Sequence, residues 1–450
     1  MLLDKRFIAE RTTNFAAFKK SLETFSLAEA VEITGVSGEA IREAAQIYAR
    51  SKPSLIFWSM GITQHSHGHS NVWALAHLVL MTGNYGKPGA GVAPLRGHNN
   101  VQGATDMGAT PAWYPGYQLC PGYEHYPRLD KFSSAQEKFE KAWGCKLPDI
   151  PGLSTVKQFN GKAKGWETPE MWDLEEKIKA WYIVGTDVAN GVAESLKVRQ
   201  RLEQAEFVVV QDIFLTETAK LADVILPAAC FAEKEGTFTA TDRRIQLIRM
   251  DEISSLVPLY GGISHARLEK EELRWPCPDE NHLGTEVLHV EKFLRVGKAE
   301  FWPLQYVPSP ELPDEEYPLI LTTGRTLPHF HYGMTRKVEG LNTLCREDFV
   351  EINELDAALL KLQNEDQVRI VSRRGSVITK AKISNAILPG VVFKTIHFIE
   401  NPVNILTSSE YIDPVGTTPN TKVCPVRIEK QLFRGGDKRI KKIGSFMSWF

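Results

Sequence analysis

The sequence predicts an α/β protein: two α/β parallel-sheet units followed by a carboxy-terminal six-stranded β-barrel-like domain. Three observations carry that reading. Between Ser37 and Met81 the chain runs helix, strand, loop, helix, the order of an α/β unit whose binding edge lies at the strand's carboxyl end. The run Phe207–Asp212 is apolar, β-branched and flanked by helical patterns, which predicts a parallel sheet covered on both faces. From Tyr317 onward short strands alternate with glycine turns, the pattern of a small barrel.

Length and composition set the outer bounds. A chain of 450 residues has room for roughly two to four domains. Its net charge of -2 gives no hint of a nucleic-acid partner. No apolar run approaches the length of a transmembrane segment, and Met1–Arg6 has no secretory apolar region, so the expectation is a cytoplasmic chain. The six cysteines are scattered with no Cys-x-x-Cys pair. Free or buried thiols fit that spacing better than a disulfide framework, a zinc site or an iron–sulfur site.

The opening segment to Ala49 reads as two helices, the second with Ser37 as its cap. Pro53–Met60 reads as a strand and Asn71–Met81 as a helix. Between them His65, His67 and His69 alternate and would share one face of an extended segment. No carboxylate or thiolate joins them at ligand spacing, so no metal site is assigned. His77 falls inside the helix and reads as a core or helix-surface residue. Gly91–Gly108 is too polar and glycine-rich for a core strand. It places one fixed cation, Arg96, among the amides of Asn99, Asn100 and Gln102. That set suits an anionic, planar ligand held by forked donors, although a surface loop of turn formers has the same composition.

Pro111–Tyr117 predicts an irregular loop, and the stretch 129–173 is polar and helical in part. Lys179–Gly185 is a strand entering a glycine turn, Glu194–Ala205 a helix, Thr216–Ala222 another helix and Asp223–Pro227 a strand. Gln211 and Asp212 close the Phe207 strand, where an acid would meet a ribose or guanine or else cap the next element. Arg243 and Arg244 read equally as surface charge. Trp275–Val307 reads as short strands and turns crossing back to another part of the fold. Pro308–Glu316 is a proline- and acid-rich connector. Beyond it, Thr323, Gly324, Arg325 and Thr326 form a credible pyrophosphate cradle of backbone amides, a guanidinium and a hydroxyl.

The string Pro94-Leu-Arg-Gly-His-Asn-Asn-Val-Gln-Gly-Ala-Thr-Asp-Met-Gly108 resembles the signature of the catalytic subunit of formate dehydrogenases, within the molybdopterin oxidoreductase family. Ala232–Gln246 resembles the same family, and the resemblance extends from near Leu3 to about Lys430. It implies a bis-molybdopterin guanine dinucleotide cofactor carrying molybdenum or tungsten. The positions matching its contacts are Met60, Gln64, Gly97, Asn99, Gly185, Gln211, Asp212, Lys234, Thr323, Gly324, Arg325, Thr326, His331, Asn404 and Lys422. It implies formate as substrate, with Arg96 anchoring the carboxylate and His98 and Asn99 completing the wall.

The domains expected on that basis are a partial α/β unit over 1–97, a second over 98–260, a crossover over 261–316, a barrel over 317–432 and a basic tail over 433–450. Two departures from the family pattern stand out. Near Asp251 the chain passes almost directly to Leu259, without the family's guanine-reading aspartate and helix. After Thr186 stands Asp187 where the family shows Asn. The family's amino-terminal cysteine-rich domain, its [4Fe-4S] cluster and its metal-ligating cysteine or selenocysteine have no counterpart here. The resemblance therefore implies a separately encoded amino-terminal iron–sulfur part and an electron-transfer subunit. A non-catalytic remnant or cofactor-binding module, and a nitrate-reductase-like relative, are the alternatives.

Overall fold

A computed structural model describes residues 2–121, 136–148, 150–161, 177–231, 233–234, 236–246, 251–294 and 296–431. The basic tail and, within the polar stretch 129–173, residues 129–135, 149 and 162–173 lie outside the described residues. Four helices, rather than two, open the chain: α1 (Lys5–Arg11), α2 (Phe15–Leu22), α3 (Leu27–Thr34) and α4 (Gly38–Arg50). Local signals break them apart. Asn14 takes a left-handed conformation before α2. Ser26 and Glu29 form a reciprocal capping box on α3, which Gly35 ends in the left-handed region. Ser37 caps α4 by accepting from the Ala40 amide, as expected.

Strand β1 (Thr12–Thr13) lies between the first two helices. Strand β2 (Leu55–Trp58) runs parallel to β3 (Gly91–Pro94), with α5 (Met60–Thr63) and α6 (Gly68–Met81) between them in the chain. Strand β3 corrects the expectation of no strand after Gly91. Backbone pairing with β2 makes it, and Pro94 stands at its end, where a missing N–H costs least. The same stretch then forms α7 (Val101–Asp106). Two-residue strands β4 (Trp113–Tyr114) and β5 (Gln118–Leu119) replace the expected irregular loop, joined through Gly116 and Tyr117, both at positive φ.

The second unit holds α8 (Gln136–Trp143), α9 (Thr155–Phe159), β6 (Ala180–Val184), α10 (Val188–Gly191), α11 (Ser195–Glu203), β7 (Phe207–Asp212) and β8 (Val224–Pro227). Strands β6, β7 and β8 pair in that order, all parallel. The helix expected over Thr216–Ala222 shrinks to one 3-10 turn, Ala219–Leu221, because strand β8 begins directly after it. One face of this sheet is core: Trp181, Ile183, Val208 and Val210 pack with Val198, Leu202 and Ala219.

The other face corrects the expectation of cover on both sides. Register places Tyr182, Val209 and Val224 in one row of that face and Val184, Gln211 and Leu226 in the next. Tyr182 and Val184 are 61% and 58% exposed. Among the described residues the packing layer lies on one side only. Strand β2 behaves alike, with Phe57 57% exposed.

Strands β9 (Phe238–Thr239), β10 (Arg244–Gln246) and β11 (Leu273–Arg274) form an antiparallel sheet. A short helix, α12 (Asp251–Leu256), occupies the stretch where the resemblance leaves no family helix. Strand β12 (Ala299–Glu300) pairs with β1, and Phe301 stacks on Phe18 beside His77. The crossover thus returns to the first unit. His77 is buried there and accepts from the Trp302 amide, the core role expected of it.

The last domain is a closed barrel of β13 (Leu319–Gly324), β14 (Phe349–Asn353), β15 (Gln367–Val371), β16 (Ser376–Ser384), β17 (Val391–Thr395) and β18 (Cys424–Lys430). Alternate residues point inward, so Leu321, Val350, Ile352, Val368, Ile370 and Val392 make one core. Loops near its end tie the barrel to both units. Asn404 donates to the Asn190 and Gly191 carbonyls, and Asp413 accepts from the amide and ring of His69.

Candidate functional site

Three adjoining cavities line the junction of the barrel with the two α/β units. The largest, about 870 Å³, is lined by Asn99, Gly185, Gln211, Asp212 and Lys234, among others. A second, about 160 Å³, shares Gly185 and Asp212 with the first and adds His98, Asp187 and His331. Tyr332 belongs to the second and to a third, about 220 Å³, which collects Met60, Gln64, Thr323, Gly324, Arg325, Asn404 and Lys422. Fourteen of the seventeen residues singled out in the sequence therefore line this cleft. Arg96, Gly97 and Thr326 line none of the three.

The signature loop crosses this junction because both its ends are fixed. The Leu95 amide donates to the Trp58 carbonyl at 2.7 Å, extending the β2–β3 pairing. Asn100, at φ 59, accepts from the Thr239 amide at 2.9 Å and donates to the Thr237 carbonyl at 3.2 Å, stitching the loop to β9. Gly103 is required by that stitch, since a Cβ there would lie 2.0 Å from Asn100 Oδ1. Between these anchors Arg96 is exposed and donates to Gln102 at 3.1 Å. Gly97 faces the Arg325 guanidinium, which a Cβ would meet at 3.7 Å.

Two histidines, His98 and His331, line the second cavity. The rings of His98 and His331 meet edge to face with centroids 3.7 Å apart. Burial, and then the charge of Arg325, holds the His98 ring below its usual range. Burial, then His98 and Arg325, pulls His331 down to about 3. Both rings are neutral at pH 7. His397 donates to the His331 carbonyl at 2.7 Å and accepts from the Thr326 amide at 3.0 Å, fixing its tautomer. His329 is buried and donates to the Cys345 carbonyl at 2.7 Å, a structural bond.

The third cavity is cationic. Arg325 and Lys422 line it and no carboxylate does. Burial, with repulsion from Arg325, lowers the Lys422 amine to about 8. The Thr326 hydroxyl is buried without a partner. Gln64 accepts from Thr421 at 3.0 Å, which fixes its amide at the edge of the cavity.

Several sequence readings change on contact with this geometry. His65, His67 and His69 do not share a strand face, because they fall in a turn and the first turn of α6. His65 instead bonds the Gly61 carbonyl, and His69 pairs with Asp413. Among the described residues no three His, Cys, Asp or Glu side chains are grouped to hold a metal. Asp187 turns its carboxylate onto Thr218 and Asn190, so the charge that departs from the family pattern is met by protein donors. Arg243 straps the Trp275, Thr285 and Glu286 carbonyls together, and Arg244 pairs with Asp242 and Glu272. Tyr332, Phe231 and Asp413 were invisible to sequence reasoning, having no motif spacing. Gln102 and Asp106 carry a signal: they stand four apart on α7 and so share a face.

These features define an α/β protein closed by a barrel over an extended interdomain cleft. A family model for molybdopterin oxidoreductases matches residues 10–258, and one for the molybdopterin dinucleotide-binding domain matches residues 319–425. The chain belongs to the molybdopterin oxidoreductase family. It is 41% identical to the F420-dependent formate dehydrogenase subunit alpha of Methanocaldococcus jannaschii, over 95% of this chain and 66% of that protein. Formate dehydrogenase H of Escherichia coli is 36% identical, over 95% of this chain and 63% of that protein. The chain thus spans about two thirds of the length of these relatives. Acetylene hydratase from Pelobacter acetylenicus shares the fold, with a TM-score of 0.67 and 18% identity over 96% of this chain and 68% of that one.

Proposed function

We propose that this chain forms the cofactor- and formate-binding part of a molybdopterin-dependent formate dehydrogenase, taking formate to carbon dioxide, a proton and two electrons. The residues present fit a pterin dinucleotide. The third cavity offers Arg325 and Lys422 to a diphosphate, and the buried, unpartnered Thr326 hydroxyl follows Arg325 in the chain. The first offers Asp212 and Gln211 at a strand's carboxyl end, with Lys234 and Asn99 in the same lining. A molybdenum or tungsten bis-molybdopterin guanine dinucleotide supplies the two-electron redox centre when bound.

The observation that carries the reading is the placement of Arg96. It is an exposed fixed cation two residues before His98, which lines the cleft, with one protein partner among the described residues. Its other donors are open to a carboxylate, and a planar fork matches formate's two oxygens. His98, held neutral, closes the wall beside the anion without competing for it, and Asn99 adds an amide. The chain's contribution to the reaction is to hold formate in one orientation and to stabilise charge that develops there.

The uncovered apolar faces of β2 and of the β6–β7–β8 sheet support a second part of the reading. The polypeptide corresponding to the remaining third of the relatives' length would cover them and bring the [4Fe-4S] cluster and the metal ligand, with an electron-transfer subunit beyond. Among the described residues no helix is long and apolar enough to cross a membrane. The test is formate-dependent dye reduction by the assembled complex. Arg96→Ala should depress turnover by at least about a hundredfold while cofactor content holds. Undiminished turnover in that variant would remove the assignment.

A further inference from the structure

We propose that Gln102 and Asp106 are positioning residues that fix the Arg96 guanidinium through an amide-bridged chain of hydrogen bonds. The inference rests on the reading of Arg96 as the formate anchor. Arg96 donates to Gln102 Oε1 at 3.1 Å, and Gln102 Nε2 donates to Asp106 Oδ1 at 2.8 Å. The orientation of the amide is forced, because a guanidinium only donates and so must face the amide oxygen, which turns the amide nitrogen to Asp106. Tyr117 donates to the same carboxylate oxygen at 2.6 Å, and Trp275 Nε1 donates to the other at 3.0 Å. Asp106 is fully buried and Gln102 nearly so.

The placement of these groups is over-determined. Tyr117 sits at φ 60, where a bulky side chain is strained, and the Gly116 amide holds the turn by donating to the Asp106 carbonyl at 2.7 Å. Trp275 reaches Asp106 from β11's carboxyl side, so three separate segments converge on one carboxylate.

The amide spacer has a chemical consequence. A carboxylate paired directly with Arg96 would occupy the fork that a substrate carboxylate needs. Placed one amide away, Asp106 fixes the cation and partly balances its charge but leaves that fork open. Formate then meets a guanidinium already restrained, so less rotamer entropy is lost on binding.

The test uses the cofactor-loaded complex and three readouts: the formate KM, kcat, and calorimetric binding of nitrate as a planar anion. Gln102→Met keeps the side chain's length and removes all three of its hydrogen bonds, to Arg96, to Asp106 and to the Tyr117 hydroxyl. It should raise the formate KM and the nitrate Kd about tenfold, the loss of one charge-assisted bond, with a smaller change in kcat. In an Arg96→Ala background Gln102→Met should add no further loss, which separates positioning from a merely structural role. Additive losses, or unchanged constants in the single variant, would overturn the proposal. If Gln102→Met cannot retain cofactor, Tyr117→Phe removes a single hydroxyl from the chain and carries the same cycle. Arg96→Ala with unchanged formate and nitrate constants would sink the formate reading itself, a distinct outcome.

Discussion

Replacing Lys422 with methionine should make the cofactor-free chain more stable and its dinucleotide site weaker. The ammonium stands half-buried against Arg325, and its pKa falls from 10.5 to about 8. That displacement corresponds to about 3 kcal/mol held against the charged form, of which partial solvation leaves about 2. Lys422 also donates to the Thr323 carbonyl, a bond worth about 1 kcal/mol net. Lys422→Met should therefore gain about 1 kcal/mol in urea unfolding at neutral pH without cofactor. The pH dependence follows from the same shift. Below pH 8 the amine is charged in both states and its cost is fully present. Between about 8 and 10.5 the native amine gives up its proton first, the unfolded chain binds more protons, and stability rises with pH. The variant should lack that rise. Binding should move the other way: inorganic pyrophosphate, a probe of the diphosphate site, should bind the variant at least about tenfold more weakly. A cofactor-free variant less stable than the parent, or one that keeps the alkaline rise, would refute the reasoning.

Other perturbations follow from the same geometry. Gly103→Ala drives a methyl into Asn100, so both bonds to β9 must break. We expect a loss of about 2 kcal/mol and faster hydrogen exchange at the Thr239 amide, and unchanged protection there would contradict the stitch. Val184→Lys places a charge on the open sheet face. It should leave unfolding of the isolated chain within about 0.5 kcal/mol yet weaken assembly with the amino-terminal polypeptide in a pull-down. A large stability loss in the isolated chain would mean that this face is already covered.

The barrel was legible because its strands alternate strictly. Leu319–Gly324 and Gln367–Val371 bury every second residue, and period-2 patterning is what short strands between turns display. Strand β18 was harder to see, since Pro425 interrupts it and proline normally argues against a paired strand. The small strand after Gly91 had no side-chain signal at all, because its partner strand creates it. The β-branched run at Phe207 was read correctly as a parallel strand, and among the described residues only one face of its sheet is packed. Sequence shows that a surface is apolar and does not show which polypeptide covers it. At the site, glycine and cation positions were readable from the motif, and fourteen of the residues named in advance line the cleft, while most of its lining was not named. The bonds that set Arg96 depend on Tyr117 and Trp275, which reach Asp106 across 11 and 169 positions of sequence. Only tertiary structure brings them together.

The most direct test of the central claim is the metal and pterin content of the chain purified from its own host with any polypeptide that co-purifies with it. The account predicts stoichiometric molybdenum or tungsten together with guanine dinucleotide in that assembly. A folded assembly free of both metal and pterin would contradict it.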